Sequence, residues 1–414
     1  MTVANNKYDV MIVGGGAAGF FAAIRCGEMN PKLKIAILER GNDVLNKVRI
    51  SGGGRCNVTH DCQDAAELVK FYPRGQKELR GPFNSFGCGD TIDWFASRGV
   101  KLKIEPDGRM FPVTDDSETI AQCLVKAAKS AGVQVLTSIR VDRIMKESVG
   151  FKLETNAGNF NTNKLMIASG SSTSIWNELQ QLGHTIIAPV PSLFTFRIQD
   201  ERIASLSGIS VEKACVSFKE DKNVLCMPGP ILITHRGLSG PGILKLSAWG
   251  ARNFYELKYR FEILINWVFP LGIEDVLAQL NEKKSGVWSK KSVDTQSPFQ
   301  GIPIRLWKQF ASSILGSRAG INWADLKKEE LRHLAEILCM SKWQVVGKNT
   351  FKEEFVTAGG VSLKEMNLKR FESKKIAGLF IAGEALDIDA VTGGFNFQAA
   401  WTGGFLAGTA MAEE

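Results

Sequence analysis

The chain has 414 residues, with 51 Lys+Arg against 43 Asp+Glu for a net charge of +8, and it is 44% hydrophobic and 23% charged. That composition excludes a disordered or collagen-like chain, and the length makes two or three domains the expectation. Eight cysteines at 26, 56, 62, 88, 123, 215, 226 and 339 form no CxxC pair, which argues against structural zinc, thioredoxin chemistry and a disulfide scaffold. Reduced thiols in a cytoplasmic protein without a metal are therefore expected, with no membrane-spanning segment.

Residues 8–13 are a short apolar run. Gly14-Gly15-Gly16-Ala17-Ala18-Gly19 follows, then a helix to about residue 28 and an alternating strand over 34–38. This is a βαβ start with a parallel sheet. Residues 61–130 read as mostly helical, with helices over 64–71, 89–98 and 117–131, the last capped at Asp115, Asp116 or Ser117 and stopped by Gly132. Strands are expected over 133–136, 140–146, 151–155 and 164–168. At Pro189-Val190-Pro191 the pattern changes to strands over 193–198, 213–218, 230–234 and 259–265. Helices over 274–280, 304–315 and 326–338 come next. Strand and loop return over 347–361, a buried strand lies at 378–384, and a helix over 395–412 closes the chain.

The 41 glycines are about a tenth of the chain, against roughly 7% in an average protein, and their placement carries the chemistry. In Gly14-x-Gly16-x-x-Gly19 the first glycine permits a tight turn, the second a close backbone approach to a pyrophosphate, and the third close helix–strand packing. The helix N-terminus, with Ala17 and Ala18, adds free N–H groups and a positive dipole end. Glu39, twenty residues after Gly19 at the end of the next strand, can accept from both ribose hydroxyls of an adenosine and would repel a 2′-phosphate. FAD or NAD therefore suits this site, and NADP does not.

Near the C-terminus a buried strand ends in Gly383-Glu384, and Gly393-Gly394-Phe395-Asn396 opens a helix shortly after. A strand-end acid can hold a ribityl hydroxyl, and a glycine-led helix start can stabilise charge on a reduced flavin. The two motifs together point to FAD. Ser51-Gly52-Gly53-Gly54-Arg55-Cys56-Asn57 offers an anion nest with Lys47, Arg49 and Arg55 nearby. Cys56 and Cys62 are separated by five residues, which does not fit a catalytic disulfide of the reductase type. Ser169-Gly170-Ser171 follows a strand that can return the chain past the dinucleotide. Arg40 and Val141 complete the candidate cofactor contacts. No second GxGxxG with a ribose-binding acid exists, so a nicotinamide would bind transiently. His235, in Thr234-His235-Arg236-Gly237-Leu238-Ser239-Gly240-Pro241-Gly242, is the candidate catalytic residue, with a structural or hydrogen-bonding role as its competing reading. His60, His184 and His333 are expected to be surface or packing residues.

The segments VGGGAAG (13–19), SGGGRCN (51–57), LGHTI with PVPSL (182–193), ITHRGLSGPGILKLS (233–247), VTAGGVSLKEMN (356–367) and GLFIAGEALDIDAVTGGFNFQAAWTGG (378–404) span nearly the whole chain. With them the chain resembles the aminoacetone oxidase family of NAD(P)/FAD-dependent oxidoreductases, the BaiN/YhiN type of bacterial flavoproteins. It departs from that pattern at Leu45-Asn46, Ser169-Gly170-Ser171 and Ala390. The resemblance implies an α/β molecule. A Rossmann-like FAD-binding domain would be built from both chain ends (1–190 and 361–414). It would be interrupted by a β-barrel-like domain over 191–270 and a small helical domain over 271–342, with a return through the β-rich part over 343–360.

The expected function is hydride transfer between flavin N5 and a small organic substrate of amine or enone class, with O2, NADH or NADPH as the other partner. Two alternatives stand beside it: an FAD-dependent tRNA-modifying enzyme and a flavin-binding regulatory protein without turnover. Residues 251–350 hold 15 Lys+Arg against 10 Asp+Glu. These charges are interspersed as on a solvated face, so nucleic acid is disfavoured as a partner. The sequence leaves the substrate and the oligomeric state open.

Overall fold

The computed structural model describes residues 6–220, 223–349 and 356–413. They fall into two units, 1–191 with 352–414 and 192–351. Among the described residues no helix is long and apolar enough to cross a membrane.

In the first unit, β1 (Lys7–Val13) leads through the glycine turn into α1 (Ala17–Met29) and then β2 (Ile35–Leu38). All four residues of β2 and most of β1 are buried, as expected of parallel strands covered on both faces. β1 pairs in parallel with β2 on one side and with Gly158–Ile167 on the other. Gly158–Ile167 pairs in turn with Leu379–Ile381, and β2 with Gln134–Leu136. The C-terminal strand thus completes the sheet begun by the N-terminus, as a Rossmann-like domain from both chain ends requires.

Two local readings changed. Residues 61–130 hold the three expected helices but also strands that were not expected: Thr59–His60, Arg109–Pro112 and Leu102–Ile104 form a small antiparallel sheet. Its hairpin closes at Pro106-Asp107-Gly108, where Gly108 has φ 85° and Glu105 N donates to Arg109 O at 2.8 Å. This is a proline–aspartate–glycine turn signal that helical periodicity had obscured. In the closing helix Phe395–Ala412, Gly404 and Gly408 face α1. A Cβ there would lie 2.6 Å from Ala18 O and 2.5 Å from Ala22 O. These glycines serve close helix–helix packing.

Among its described residues the second unit carries eight antiparallel strands in one linear order, from Ser210–Val211 at one end to Asn223–Pro228 at the other. Among the described residues the two end strands do not pair with each other. The helices Ile273–Ser285, Ile304–Leu315 and Lys328–Met340 share one hydrophobic core with this sheet. Trp267 lies 5.8 Å from both Trp343 of the sheet and Phe310 of a helix, so the β-rich and helical parts expected as separate domains are packed together. The expected return over 343–360 divides. Ser341–Asn349 pairs within this sheet, and Val356–Val361 pairs with Ile186–Ser192. Pro241–Trp249 and Ala251–Glu256 are helices that the glycine-rich sequence concealed; Pro241 at the first helical position is the overlooked signal. Cys215 and Cys226, expected as free thiols, are paired as a disulfide across the hairpin of Cys215–Glu220 and Asn223–Pro228.

Candidate functional site

The three fingerprint glycines have three distinct surroundings. Gly14 has φ 115°, and a Cβ on it would lie 2.3 Å from Ala168 O. A Cβ on Gly19 would lie 2.1 Å from Gly14 O. A Cβ on Gly16 would meet nothing within 4 Å. Gly14 and Gly19 are therefore dictated by the protein's own packing, whereas the open space at Gly16 is available to a ligand. Gly16 caps α1 without a side-chain hydrogen bond, so the first helical N–H groups keep their capacity for an anion. Beside this turn the buried Ser169 hydroxyl has no partner among the described residues. A buried orphan of this kind calls for an explanation, and a bound polar group supplies one.

Glu39 is held by two backbone amides. Its Oε2 accepts from Gly15 N and its Oε1 from Gly41 N, each at 2.8 Å. Each carboxylate oxygen retains a further acceptor position for a hydroxyl. Arg40 next to it is exposed, and Val141 is buried at the start of Val141–Lys146.

Four further predicted residues, Lys47, Gly170, Gly383 and Glu384, converge from distant parts of the chain. Lys47 Nζ forms an ion pair with Glu384 Oε2, and Glu384 Oε1 accepts from Thr357 N at 2.8 Å. A Cβ on Gly170, which has φ 59°, would lie 3.6 Å from Glu384 Oε2, and one on Gly383 would lie 3.3 Å from Ala18 Cβ. Lys47 and Glu384 thus meet each other beside the N-terminus of α1. Thr357 is the contributor that sequence reasoning missed, because a backbone N–H leaves no residue-type signature.

The Ser51–Gly54 loop lies at the end of the kinked helix Asn46–Gly54, where Gly52, Gly53 and Gly54 have φ of 58°, 69° and 84°. Consecutive left-handed residues turn backbone amides to one side, and a Cβ on Gly53 or Gly54 would meet nothing within 4 Å. Ser51 Oγ donates to Val48 O. Arg55, in contrast, is engaged within the protein: it pairs with Glu105 at 2.7 Å and lies 4.0 Å over the Phe111 ring. Burial pushes the Cys56 thiol up to about 12, which removes any thiolate chemistry there.

Asn57 and His60 anchor the start of the closing helix. The Asn57 amide accepts from Gly394 N at 2.9 Å and donates to Thr59 O at 3.0 Å. His60 Nδ1 donates to Gly393 O at 3.0 Å, so this histidine, expected to be a surface or packing residue, fixes the glycine turn. Phe395 stacks on Phe71 at 4.2 Å, and Asn396 bridges back to Ala390 N and O at 3.0 and 3.1 Å. The side chains of Phe395 and Asn396 are thereby committed inward, and what this turn offers a ligand is its backbone.

His184 is also more than packing. It is buried, with Nδ1 2.9 Å from Glu365 and Nε2 3.0 Å from Ser373 Oγ. Burial lowers its pKa below the usual value despite the carboxylate. The Glu365 carboxyl is raised by burial, but hydrogen bonds from Lys375, Thr185 and His184 outweigh this and hold it at about 2. His235 lies in the second unit, exposed at a hairpin tip. Among the described residues no cluster of His, Cys, Asp and Glu could hold a metal ion.

The family model described as HI0933-like protein Rossmann domain matches residues 8–410. A 3-dehydro-bile acid delta(4,6)-reductase of Clostridium scindens is 25% identical over 97% of this chain and 98% of its own length. A ribosomal RNA dihydrouridine synthase of Escherichia coli is 26% identical over 96% of each chain. Among solved structures, 3-ketosteroid-delta4-(5alpha)-dehydrogenase from Rhodococcus jostii RHA1 superposes with a TM-score of 0.52 at 12% identity, covering 100% of this chain and 98% of that one. The glycine fingerprint, the acid-ended second strand and a sheet completed by the C-terminus agree with these matches: the chain belongs to the HI0933-like Rossmann family and is an FAD-dependent oxidoreductase.

Proposed function

We propose that this enzyme reduces a carbon–carbon double bond conjugated to a carbonyl group, with NADH or NADPH as electron donor. The observation that carries the reading is chemical. The two chain-long relatives are named for different substrates, a 3-oxo bile acid with 4,6-unsaturation and a uridine in RNA, yet both names describe saturation of an alkene in conjugation with a carbonyl. A small enone fits the expectation of an organic substrate. Uridine in RNA is a second form of the same chemistry, favoured by the Escherichia coli relative.

In this reading the Gly14–Gly19 turn, with the amides of Ala17 and Ala18, takes the pyrophosphate, and Glu39 takes the adenosine ribose, with Arg40 and Val141 at the same end. Ser51, Gly52, Gly53, Lys47, Ser169, Gly170, Gly383 and Glu384 surround the ribityl and pyrophosphate stretch. The backbone of Gly393, Gly394, Phe395 and Asn396 would hold the flavin ring, and the helix start there would favour negative charge on it. Bound FAD would supply a hydride, received from NADH or NADPH, to one alkene carbon, and the other carbon would take a proton from solvent. Asn57 and His60 keep the Gly393–Gly394 turn in place, and the Glu39 clamp keeps the ribose end fixed.

The test begins with the yellow protein under anaerobic conditions. NADH or NADPH should bleach the flavin absorbance. A 3-keto-4-ene steroid or a uridine-containing RNA should then restore it, with the saturated product detected by mass spectrometry. Bleached flavin restored by O2 but by neither conjugated acceptor would reject the proposal, and so would failure of both nucleotides to bleach it.

A further inference from the structure

The second unit holds a cleft of about 390 Å³ lined by Arg197, Ile198, Gln199, His235, Arg236 and Asn349. Its construction starts with the strand Thr195–Ile198, which runs between Gly237–Ser239 and Ser341–Asn349. Both cross-strand neighbours of Arg197 are glycines, Gly237 on one side and Gly347 on the other. Directly opposed residues of antiparallel strands share a face, so the ground on either side of the Arg197 side chain is left clear.

Gly237 is imposed by packing: it has φ 142°, and a Cβ would lie 2.2 Å from Phe196 O and 2.5 Å from Ile198 N. The two residues before it, His235 and Arg236, are the tip of a two-residue hairpin between paired Thr234 and Gly237. Ile198 N donates to Arg236 O at 3.1 Å, which ties that tip to the strand carrying Arg197. The register slips between Arg197 and Ile198, an irregularity of the kind that re-aims side chains beside binding sites.

Two guanidinium groups are brought to one cleft without a counter-charge among the described residues. Among the described residues, the side chains of Arg197, Gln199, His235, Arg236 and Asn349 carry no hydrogen bond or ion pair. Asp200, the next acid along the chain, is taken by Arg202 at 2.7 Å. Each guanidinium offers five N–H donors and no acceptor, and the two amides and the imidazole add more donors. A carboxylate has two oxygens to receive them; a phosphate has three or more, and paired arginines match its geometry. The volume lies at the small end of ligand pockets, roughly 300–1,000 Å³, enough for a phosphate and the group it is attached to.

We infer that Arg197, Gln199, His235, Arg236 and Asn349 form an oxyanion site that takes a phosphate group of a nucleotide ligand. His235 is then a hydrogen-bonding ligand of that phosphate and not a general base. The assignment stands apart from the identity of the double bond reduced, because it is measured by binding without turnover.

The experiment titrates the FAD-loaded full chain with inorganic phosphate by calorimetry. Saturable binding is expected, weakened about tenfold or more in Arg197→Gln and in Arg236→Gln and unchanged in Arg260→Gln, an exposed arginine of the same unit outside the cleft. Competition then identifies the source. Displacement by NADPH at lower concentration than by NADH assigns a phosphomonoester, and displacement by a short single-stranded RNA but by neither dinucleotide assigns a phosphodiester. Absence of saturable phosphate binding, phosphate binding as tight as the parent's in both cleft variants, or tighter binding of acetate than of phosphate overturns the site.

Discussion

The glycine turn of the first unit and the cleft of the second are both suited to phosphate, but they are made of different material. Around Gly14–Gly19 the donors are backbone amides at a helix start; the protein's own packing excludes a side chain at Gly14 and Gly19, and Gly16 leaves open space beside them. Around Arg197 the donors are long side chains at a hairpin tip, and glycines serve only to clear the ground beside them. A backbone site is rigid and cannot be tuned without disturbing the fold. A side-chain site tolerates substitution and discriminates by charge. The first suits a resident cofactor, the second an exchanging ligand.

The sharpest way to break this comparison is at the glycines. Gly14→Ala forces a Cβ against Ala168 O at a left-handed φ. It should cost about 3 kcal/mol of stability and yield colourless protein, read by chemical denaturation and by flavin absorbance per chain. Gly16→Ala, two residues on, meets no protein atom. It should leave the flavin-free protein within about 0.5 kcal/mol of the parent while weakening FAD binding about tenfold. Equal destabilisation by both substitutions would show that Gly16 too is a packing glycine.

The Glu39 clamp comes next. Glu39→Ala removes the acceptor of Gly15 N and Gly41 N and should weaken FAD binding by about 10- to 100-fold, measured by equilibrium dialysis of the flavin. Full retention of affinity would remove the carboxylate from the ribose site.

A smaller effect concerns pH. His184 is lowered from its ordinary 6.5, chiefly by burial, so just below that pH the unfolded chain binds a proton that the folded chain refuses. Stability should therefore be full above pH 6.5 and fall as pH drops. Glu365, held at about 2 against an ordinary 4.5, adds a second loss between those values. Thermal unfolding across this range should show both windows, and His184→Gln should abolish the upper one while keeping the lower. A melting profile flat from pH 7 to 5 would refute it.

The smallest effect on stability is expected in the cleft. Arg197→Gln should change folding stability by no more than about 0.5 kcal/mol, because the side chain is exposed and unpaired among the described residues. A large loss would mean that Arg197 supports the fold and does not await a ligand.

The parts of the first site that were legible in the sequence are contiguous. Gly14 to Gly19, Glu39 and Gly393-Gly394 act through spacing along one strand, turn or helix start, and such spacing survives in the sequence. The meeting of Lys47 with Glu384 across 337 positions and the hold of Asn57 and His60 on Gly394 and Gly393 leave no local pattern. Arg55 shows the opposite case: its positive charge beside a glycine loop suggests an anion ligand, and its contacts within the protein, Glu105 and Phe111, leave no local pattern. The glycine excess was read too uniformly as well. Gly404 and Gly408 pack the closing helix against α1, and Gly237 packs one strand on its neighbour.

The sequence by itself determined the βαβ start, the dinucleotide fingerprint and the flavin-type second strand, because backbone geometry at a glycine or a helix start depends on neighbours a few residues away. Only the tertiary structure decided which amides, carboxylates and cations share a site. That depends on which strands pair: Leu379–Ile381 beside Gly158–Ile167, and Thr195–Ile198 between the His235-Arg236 hairpin and Ser341–Asn349. Strand pairing is fixed by burial of whole faces across the chain, and it gave His60, Thr357 and Arg197 the roles that their sequence neighbours do not announce.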